Sequence, residues 1–167
     1  KALSIRKLYI PVGDGILAAQ GGMSGNGDLD LKIAANHMDI SWIPQVMGYE
    51  DSYFGGYLTA AADLKGTKAN PQVDFSVGIE KPQYNDYVFD SLSFMGITEN
   101  DTIHISQALI KKEPYKISGK GSMPVNMITR KESPNSSPLD LEINLDNADL
   151  NAVGLFLKPV TSAQGPI

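Results

Sequence analysis

Few side chains in this sequence have the types and spacing needed for catalysis. The two histidines, His37 and His104, have no Glu, Asp or second His at the helical spacing of a metal site. The glycine-rich stretch 21–28 has no Gly-Lys-Ser/Thr ending and does not open a helix, so it predicts a hairpin connection rather than a phosphate loop. Asp63 and Asp74 are suited to acid–base chemistry, but in alternating strands such carboxylates usually face solvent.

The remaining candidates for chemistry also fail on spacing or composition. Asp28 and Asp30 resemble a calcium pair, but no twelve-residue loop with a terminal Glu follows them. No serine lies in a Gly-x-Ser-x-Gly context, and the absence of cysteine excludes a disulfide framework, a thiolate zinc site and a thiol nucleophile. The net charge of −5 argues against a nucleic-acid partner. We therefore predict a protein that is not an enzyme, with no catalytic residues, no metal and no cofactor.

The dominant pattern in the chain is alternation of apolar and polar residues, which is typical of strands with one buried face. Turn residues such as those of 13–15, 25–27 and 99–101 separate the alternating runs at short intervals, and this spacing predicts an antiparallel all-β fold. The clearest alternating runs are 29–33, 58–64, 73–79, 103–105 and 139–145.

Two segments depart from this alternation and predict short helices. Residues 39–47 and 149–157 each begin with an Asp, a good helix N-cap, and space their apolar residues three or four apart. Pro44 and Gly154 limit each helix to one or two turns.

The chain also contains an internal repeat. Residues 29–55 match 139–165 at an offset of 110, and five of the first twelve positions are identical. Residues 3–23 match 103–123 at an offset of 100. We predict that residues 1–167 are one excised segment of a larger protein, covering about one and a half units of roughly 100–110 residues.

The apolar strand faces allow two architectures. A closed β-sandwich would bury them in an ordinary core, whereas an open, elongated sheet would line a groove with them. A sandwich closes within one unit and has no reason to recur in register, so the repeat favours the open, curved sheet.

Several phrases, taken in order, resemble those of TamB and its AsmA-like relatives. Gly56–Thr67 followed by Asn70–Val77 is similar to the family's "Gly-x-Leu-x-Leu-x-Leu-x-Gly-Thr, then Asn-Pro, then a strand" signature. Tyr87–Phe94 resembles its strand before a long hairpin, and Ile117–Pro124 resembles its "Gly-x-Gly-x-Leu-Pro" step. Pro138–Leu150 is similar to the stretch that begins its next unit, and together these phrases cover most of the chain.

The resemblance implies a periplasmic protein anchored in the inner membrane of a diderm bacterium, with the membrane attachment outside these residues. It implies a taco-like β-sheet whose hydrophobic groove carries phospholipid or another acyl-chain ligand between the two membranes. It also implies an outer-membrane partner of the Omp85 type, similar to TamA. Two alternatives stay open, a scaffold for outer-membrane or autotransporter protein assembly and a carbohydrate-binding or adhesive β-module.

The alternating strands and the resemblance together predict the lining of the groove. The predicted lining residues are Leu29, Leu31, Ile33, Leu58, Leu64, Val73, Phe75, Val77, Ile79, Phe89, Phe94, Ile103, Ile105, Leu139, Leu141 and Ile143.

Overall fold

The described residues fold almost entirely into antiparallel β-strands, which confirms the predicted all-β class. The computed structural model describes residues 2–46, 53–129 and 138–147. The elements in chain order are β1 (Leu3–Val12), β2 (Gly15–Met23), β3 (Asp28–Asp39), α1 (Ile43–Val46), β4 (Phe54–Thr67), β5 (Pro71–Tyr84), β6 (Tyr87–Val88), β7 (Ser91–Glu99), β8 (Thr102–Lys112), β9 (Tyr115–Pro124), α2 (Asn126–Thr129) and β10 (Asp140–Asp146).

All ten described strands belong to one sheet. Its order is β1-β2-β3-β4-β5-β7-β8-β9-β10, with the two-residue β6 paired to the end of β5. Nearly every strand therefore pairs with its predecessor in sequence, and β1 and β10 form the two edges of the described sheet without pairing with each other. The sheet is open, and the alternative of two facing sheets in a closed sandwich is wrong for these strands.

The connections form where the sequence supplies turn residues. Asn100 and Asp101 both have positive φ, at 49° and 58°, and they join β7 to β8 as a two-residue hairpin. Asn and Asp tolerate this left-handed conformation because their short side chains bond locally to the backbone. In the glycine-rich stretch, the Asp28 amide donates to the Ser24 hydroxyl at 3.0 Å, so this stretch is a hairpin connection, as predicted.

The first predicted helix begins later than predicted. In the segment predicted as a helix over 39–47, the helix begins at Ile43 and is described to Val46, while Met47 lies outside the described residues. It begins late because Asp39 still belongs to β3, and the Asp39 carboxylate accepts a hydrogen bond from the Ser41 amide at 2.9 Å. The helix predicted over 149–157 lies outside the described residues, and the single turn of α2 was not predicted. No helix in the described ranges is long and apolar enough to cross a membrane.

A three-strand pattern occurs twice in the sheet. Strands β1–β3 and β8–β10 have a bulge at the same place, after Ile5 in β1 and after Ile105 in β8. Gly21 and Gly121 both have positive φ, and an added Cβ at either would collide with the carbonyl oxygen of an aspartate in the next strand. The two halves thus share register and local geometry at the sequence offsets of 100 and 110. The matching path of 139–165 stays a prediction, because residues 148–165 lie outside the described ranges.

Candidate functional site: a continuous apolar sheet face

The strand register decides which side chains share a face of the sheet. Directly paired residues of an antiparallel ladder point to the same side. Ile33 pairs with Ala62, which pairs with Phe75, so these three side chains lie in one row that runs across the strands. We call residues paired in this way through successive strands a row.

Five neighbouring rows on one side of the sheet form what we call the apolar face. Thr98 carries the only polar side chain in these rows of the described strands. The rows are Leu3, Met23, Leu29, Gly66, Pro71; Ile5, Gly21, Leu31, Leu64, Val73, Thr98, Ile103, Met123; Leu8, Ala19, Ile33, Ala62, Phe75, Gly96, Ile105, Gly121, Leu141; Ile10, Leu17, Ala35, Ala60, Val77, Phe94, Ala108, Gly119, Ile143; and Met38, Leu58, Ile79, Leu92, Ile110, Ile117, Leu145.

The apolar face is large for a single-layer sheet. Two of its rows cross nine strands, which corresponds to about 38 Å at the usual spacing of about 4.8 Å between strands. Along β4, from Gly66 to Leu58, it extends about 27 Å. Contiguous exposed apolar patches above a few hundred Å² are uncommon on monomers and usually mark an interaction site.

The middle of the apolar face is held by two aromatic rings. The rings of Phe75 and Phe94 stack with centroids 5.4 Å apart and an angle of 27° between their planes. Phe75 lies against Gly96 in the neighbouring strand, where an added Cβ would come within 3.1 Å of its ring. Glycine at position 96 therefore gives the ring its place in the centre of the sheet.

One part of the apolar face is covered by the chain itself. Ile40 follows β3 and is 1% exposed, and it forms a small buried cluster with Ala35, Met38 and Ile79. Ile43 of α1 packs against the same cluster. The ends of β3, β4 and β5 nearest α1 thus have a conventional core.

All but two of the sixteen predicted lining residues belong to the apolar face. Leu139 precedes β10 and has no partner in the ladder, although it is exposed like its neighbours. The prediction that Phe89 lies in a strand is wrong. Lys81 adopts φ of 48° and Pro82 has no amide hydrogen to donate, so the ladder is interrupted between β6 and β7, where Phe89 lies.

The sequence prediction missed the contributions of β1, β2 and β9 to this face. In β1 the apolar residues change phase at the bulge, from Leu3 and Ile5 to Leu8 and Ile10. A search for unbroken alternation overlooks such a strand, whereas a search that allows one extra residue would find it.

The opposite face carries most of the charge. Asp63 and Asp74 are direct cross-strand partners there, and the Asp63 Oδ2 lies 3.3 Å from the Lys65 Nζ and 3.8 Å from the Lys32 Nζ. His104 also lies on this side, opposite Ile97.

His37 lies at the bulge of β3, with φ of 50°, and its ring stacks on Tyr57 at a centroid distance of 4.4 Å. The structure does not bring the two histidines together, because His104 belongs to β8.

An ordered ion pair sits at the β9–β10 edge. The Lys120 Nζ lies 3.1 Å from the Glu142 Oε2, and Asn144 donates a hydrogen bond to Glu142 from 3.4 Å. The hydrogen bond from Lys120, the one from Asn144 and the positive charge of Lys120 together lower the pKa of Glu142. Lys120 and Glu142 are direct cross-strand partners, so the ion pair has the character of a strand-pairing contact.

The described residues offer no group of three or more His, Asp or Glu side chains arranged to hold a metal ion. Comparison with known protein families, curated proteins and solved structures finds no match for this chain. The apolar face is the most extensive feature of the described residues.

Proposed function

We propose that this chain is a segment of a periplasmic bridge that carries phospholipid along its apolar face between the inner and outer membranes. The observation that supports this most is the continuity of apolar rows across nine strands, with Thr98 as their one polar side chain. Acyl chains gain about 0.8 kcal/mol for each methylene removed from water. A surface without hydrogen-bonding groups holds such chains and lets them slide.

The dimensions of the face suit this cargo. The acyl chains of one leaflet extend about 15 Å, half of the roughly 30 Å hydrocarbon core of a bilayer. The apolar face extends about 38 Å across the strands, and the part of it away from α1 accommodates chains of that length in more than one position. The polar headgroups would remain in water at the margin of the sheet.

We also propose that the sheet curves around the apolar face to form an open groove. Ile103 and Ile105 are only 7% and 8% exposed, whereas His104 between them is exposed on the other side. A flat single layer would leave both sides similarly open to water. The right-handed twist and coiling of sheets provide the curvature that shelters one side.

The cellular setting of the proposal comes from the resemblance to TamB-like proteins. In that setting the chain lies in the periplasm, other parts of the protein attach it to the inner membrane, and an Omp85-type partner receives the cargo at the outer membrane.

A scaffold for outer-membrane protein strands is the second candidate. It is favoured by β10, an edge of the described sheet whose seven residues are all exposed. An unpaired edge can add a client strand through backbone hydrogen bonds. In that case peptide rather than lipid would contact the protein, and the contacts would concentrate along β10.

Site-specific photo-crosslinking separates the two candidates. Benzoylphenylalanine replaces Phe94 on the apolar face or, as a matched aromatic control, Tyr57 on the opposite face. Cells that produce the protein with its native flanking parts are irradiated, and adducts are identified by mass spectrometry. The conduit predicts phospholipid adducts at position 94 and few at 57. Equal lipid adducts at both positions, or none at 94, would refute it. A third probe in place of Leu141 of β10 would favour the scaffold if it captured peptide rather than lipid.

A further inference from the structure

A trench of about 400 Å³ crosses strands β1 to β5 on the face opposite the apolar face. Ile33, Ala62 and Phe75 contribute to its lining, yet their side chains belong to the apolar face. They therefore reach the trench through their backbone and form its floor. The trench is separate from the proposed lipid path, although both use the same five strands.

The two sides of the trench differ in chemistry. One side is a row of polar side chains that includes Gln20, Lys32 and Asp63. The other side is a row of methyl groups from Ala18 and Ala34, continued by Ala61 in the next strand. A ligand that fills the trench meets hydrogen-bonding groups on one flank and an apolar ledge on the other.

Asp63 has one carboxylate oxygen without a partner. Its Oδ2 is near two lysines, whereas its Oδ1 is buried and accepts no hydrogen bond. A buried acceptor left unpaired is costly, and a ligand donor would relieve that cost. The Lys32 ammonium lies 3.8 Å from the Oδ2 of the same carboxylate, on a side chain that is 58% exposed, so this side chain can move when a ligand enters.

An aromatic ring stands at the β1 end of the trench. Tyr9 lines the trench and is 56% exposed, with the Lys7 ammonium 4.9 Å from its ring centroid. An exposed tyrosine combines an apolar ring face with a hydroxyl group, and both are useful for binding ligands with C–H and O–H groups.

The charges of the trench balance. Lys7 and Lys32 offset Asp63 and Asp74, so neither an anion nor a cation gains from the local charge as a whole. A fully apolar ligand would leave the carboxylates and amines without partners. The ligand that suits this lining is neutral, rich in hydroxyl groups that both donate and accept, and partly apolar.

We propose that the trench binds a neutral linear oligosaccharide. Its hydroxyl groups would bond to Gln20, Asp63 and Asp74, while its C–H faces would rest on Tyr9 and the alanine methyl groups. Four strand spacings give the trench a length of about 19 Å, which favours a chain of several sugar units over a single one.

The second three-strand unit carries different side chains at the equivalent places. In β9 and β10, Ser118 and Asn144 occupy the places of Ala18 and Ala34, with the same pairing. Where the first unit pairs Gln20 with Lys32, the second pairs Lys120 with Glu142 in an ion pair at 3.1 Å. The equivalent places thus carry larger side chains, and Glu142 there contacts both Lys120 and Asn144.

The proposal is tested by NMR titration of the ¹⁵N-labelled 167-residue chain with cellohexaose, maltohexaose and chitohexaose, all neutral and linear. At least one of them is expected to cause saturable shifts at the amides of Ala34 and Ala61, with none at Asn144. No saturable shift at the trench up to about 10 mM for any of the three would overturn the proposal, as would tighter binding of sulfated oligosaccharides.

Two variants that enlarge side chains of the alanine row, and one matched control in the second unit, test the location of the site. Ala34→Asn gives position 34 the residue type that the second unit has at position 144. This larger side chain is expected to weaken binding at least about tenfold. Ala61→Thr blocks the same alanine row with a β-branched residue that favours strands. It serves as the second test variant if Ala34→Asn does not fold. Asn144→Ala is the matched control and should bind like the unmodified chain. Unchanged affinity in a folded trench variant would overturn the proposal.

Discussion

Replacing Phe75 with arginine tests whether the apolar face is open. Phe75 occupies the middle of β5, stacks on Phe94 and lies against Gly96. The substitution places a charge at the centre of the proposed lipid path. An open groove and a sealed core respond differently to that charge.

The expected loss of stability follows from the contacts of the ring. Removing the stack costs about 0.5–1.5 kcal/mol, and the lost burial of a half-buried ring costs about 1–2 kcal/mol. In an open groove the guanidinium reaches water along its apolar stem, so no further penalty arises. We expect a total near 2–3 kcal/mol, seen as a fall in Tm of about 5–10 °C with the β-sheet circular dichroism retained.

A sealed core predicts a much larger effect. An unpaired buried charge adds about 3–5 kcal/mol, and the whole stability of a domain is about 5–15 kcal/mol. An unfolded or insoluble Phe75→Arg protein would therefore refute the open face.

The same variant also tests the lipid path. A guanidinium that displaces about three lipid methylenes from the apolar face lowers the binding free energy by about 2.4 kcal/mol, which corresponds to roughly 50-fold weaker lipid affinity. Binding is measured with a fluorescent phospholipid, and Ser76→Arg is the control because Ser76 points to the opposite face. A folded Phe75→Arg protein with unchanged lipid affinity would show that this face is not the path.

Two further predictions concern strand geometry and charge. Gly21→Ala should destabilise the protein by at least about 1–3 kcal/mol in denaturant unfolding, since φ is 113° there and the Cβ would meet the Asp30 carbonyl. Gly78→Ala should hardly change stability, because the added Cβ would lie 3.7 Å from the Thr59 carbonyl oxygen and φ is not positive there. Equal losses of stability in the two variants would contradict the strain argument. Lys120→Gln should raise the pKa of Glu142 toward its ordinary value in an NMR titration. Because that pKa is lowered in the folded state, its contribution to stability is present above the ordinary glutamate pKa and is lost as pH falls through the lowered value.

The strands and their buried sides could be predicted from the sequence. Alternation is a property of single strands, since successive side chains point to opposite sides. The alternation over 73–79 therefore predicted both the strand and its apolar side without any tertiary information. The turn at Asn100 was equally local, because the side chains that favour positive φ are the ones present.

The tertiary structure decided how the strands are aligned and what that alignment creates. Register depends on hydrogen bonds between distant segments and on bulges. Each bulge adds a residue to one strand, so that the apolar positions after it no longer continue the alternation before it. For this reason the sequence did not disclose that Leu8 and Ile10 extend the apolar face, or that Phe89 falls outside the ladder. The trench beside Asp63 has the same origin, because its lining comes from five strands that only the register brings side by side.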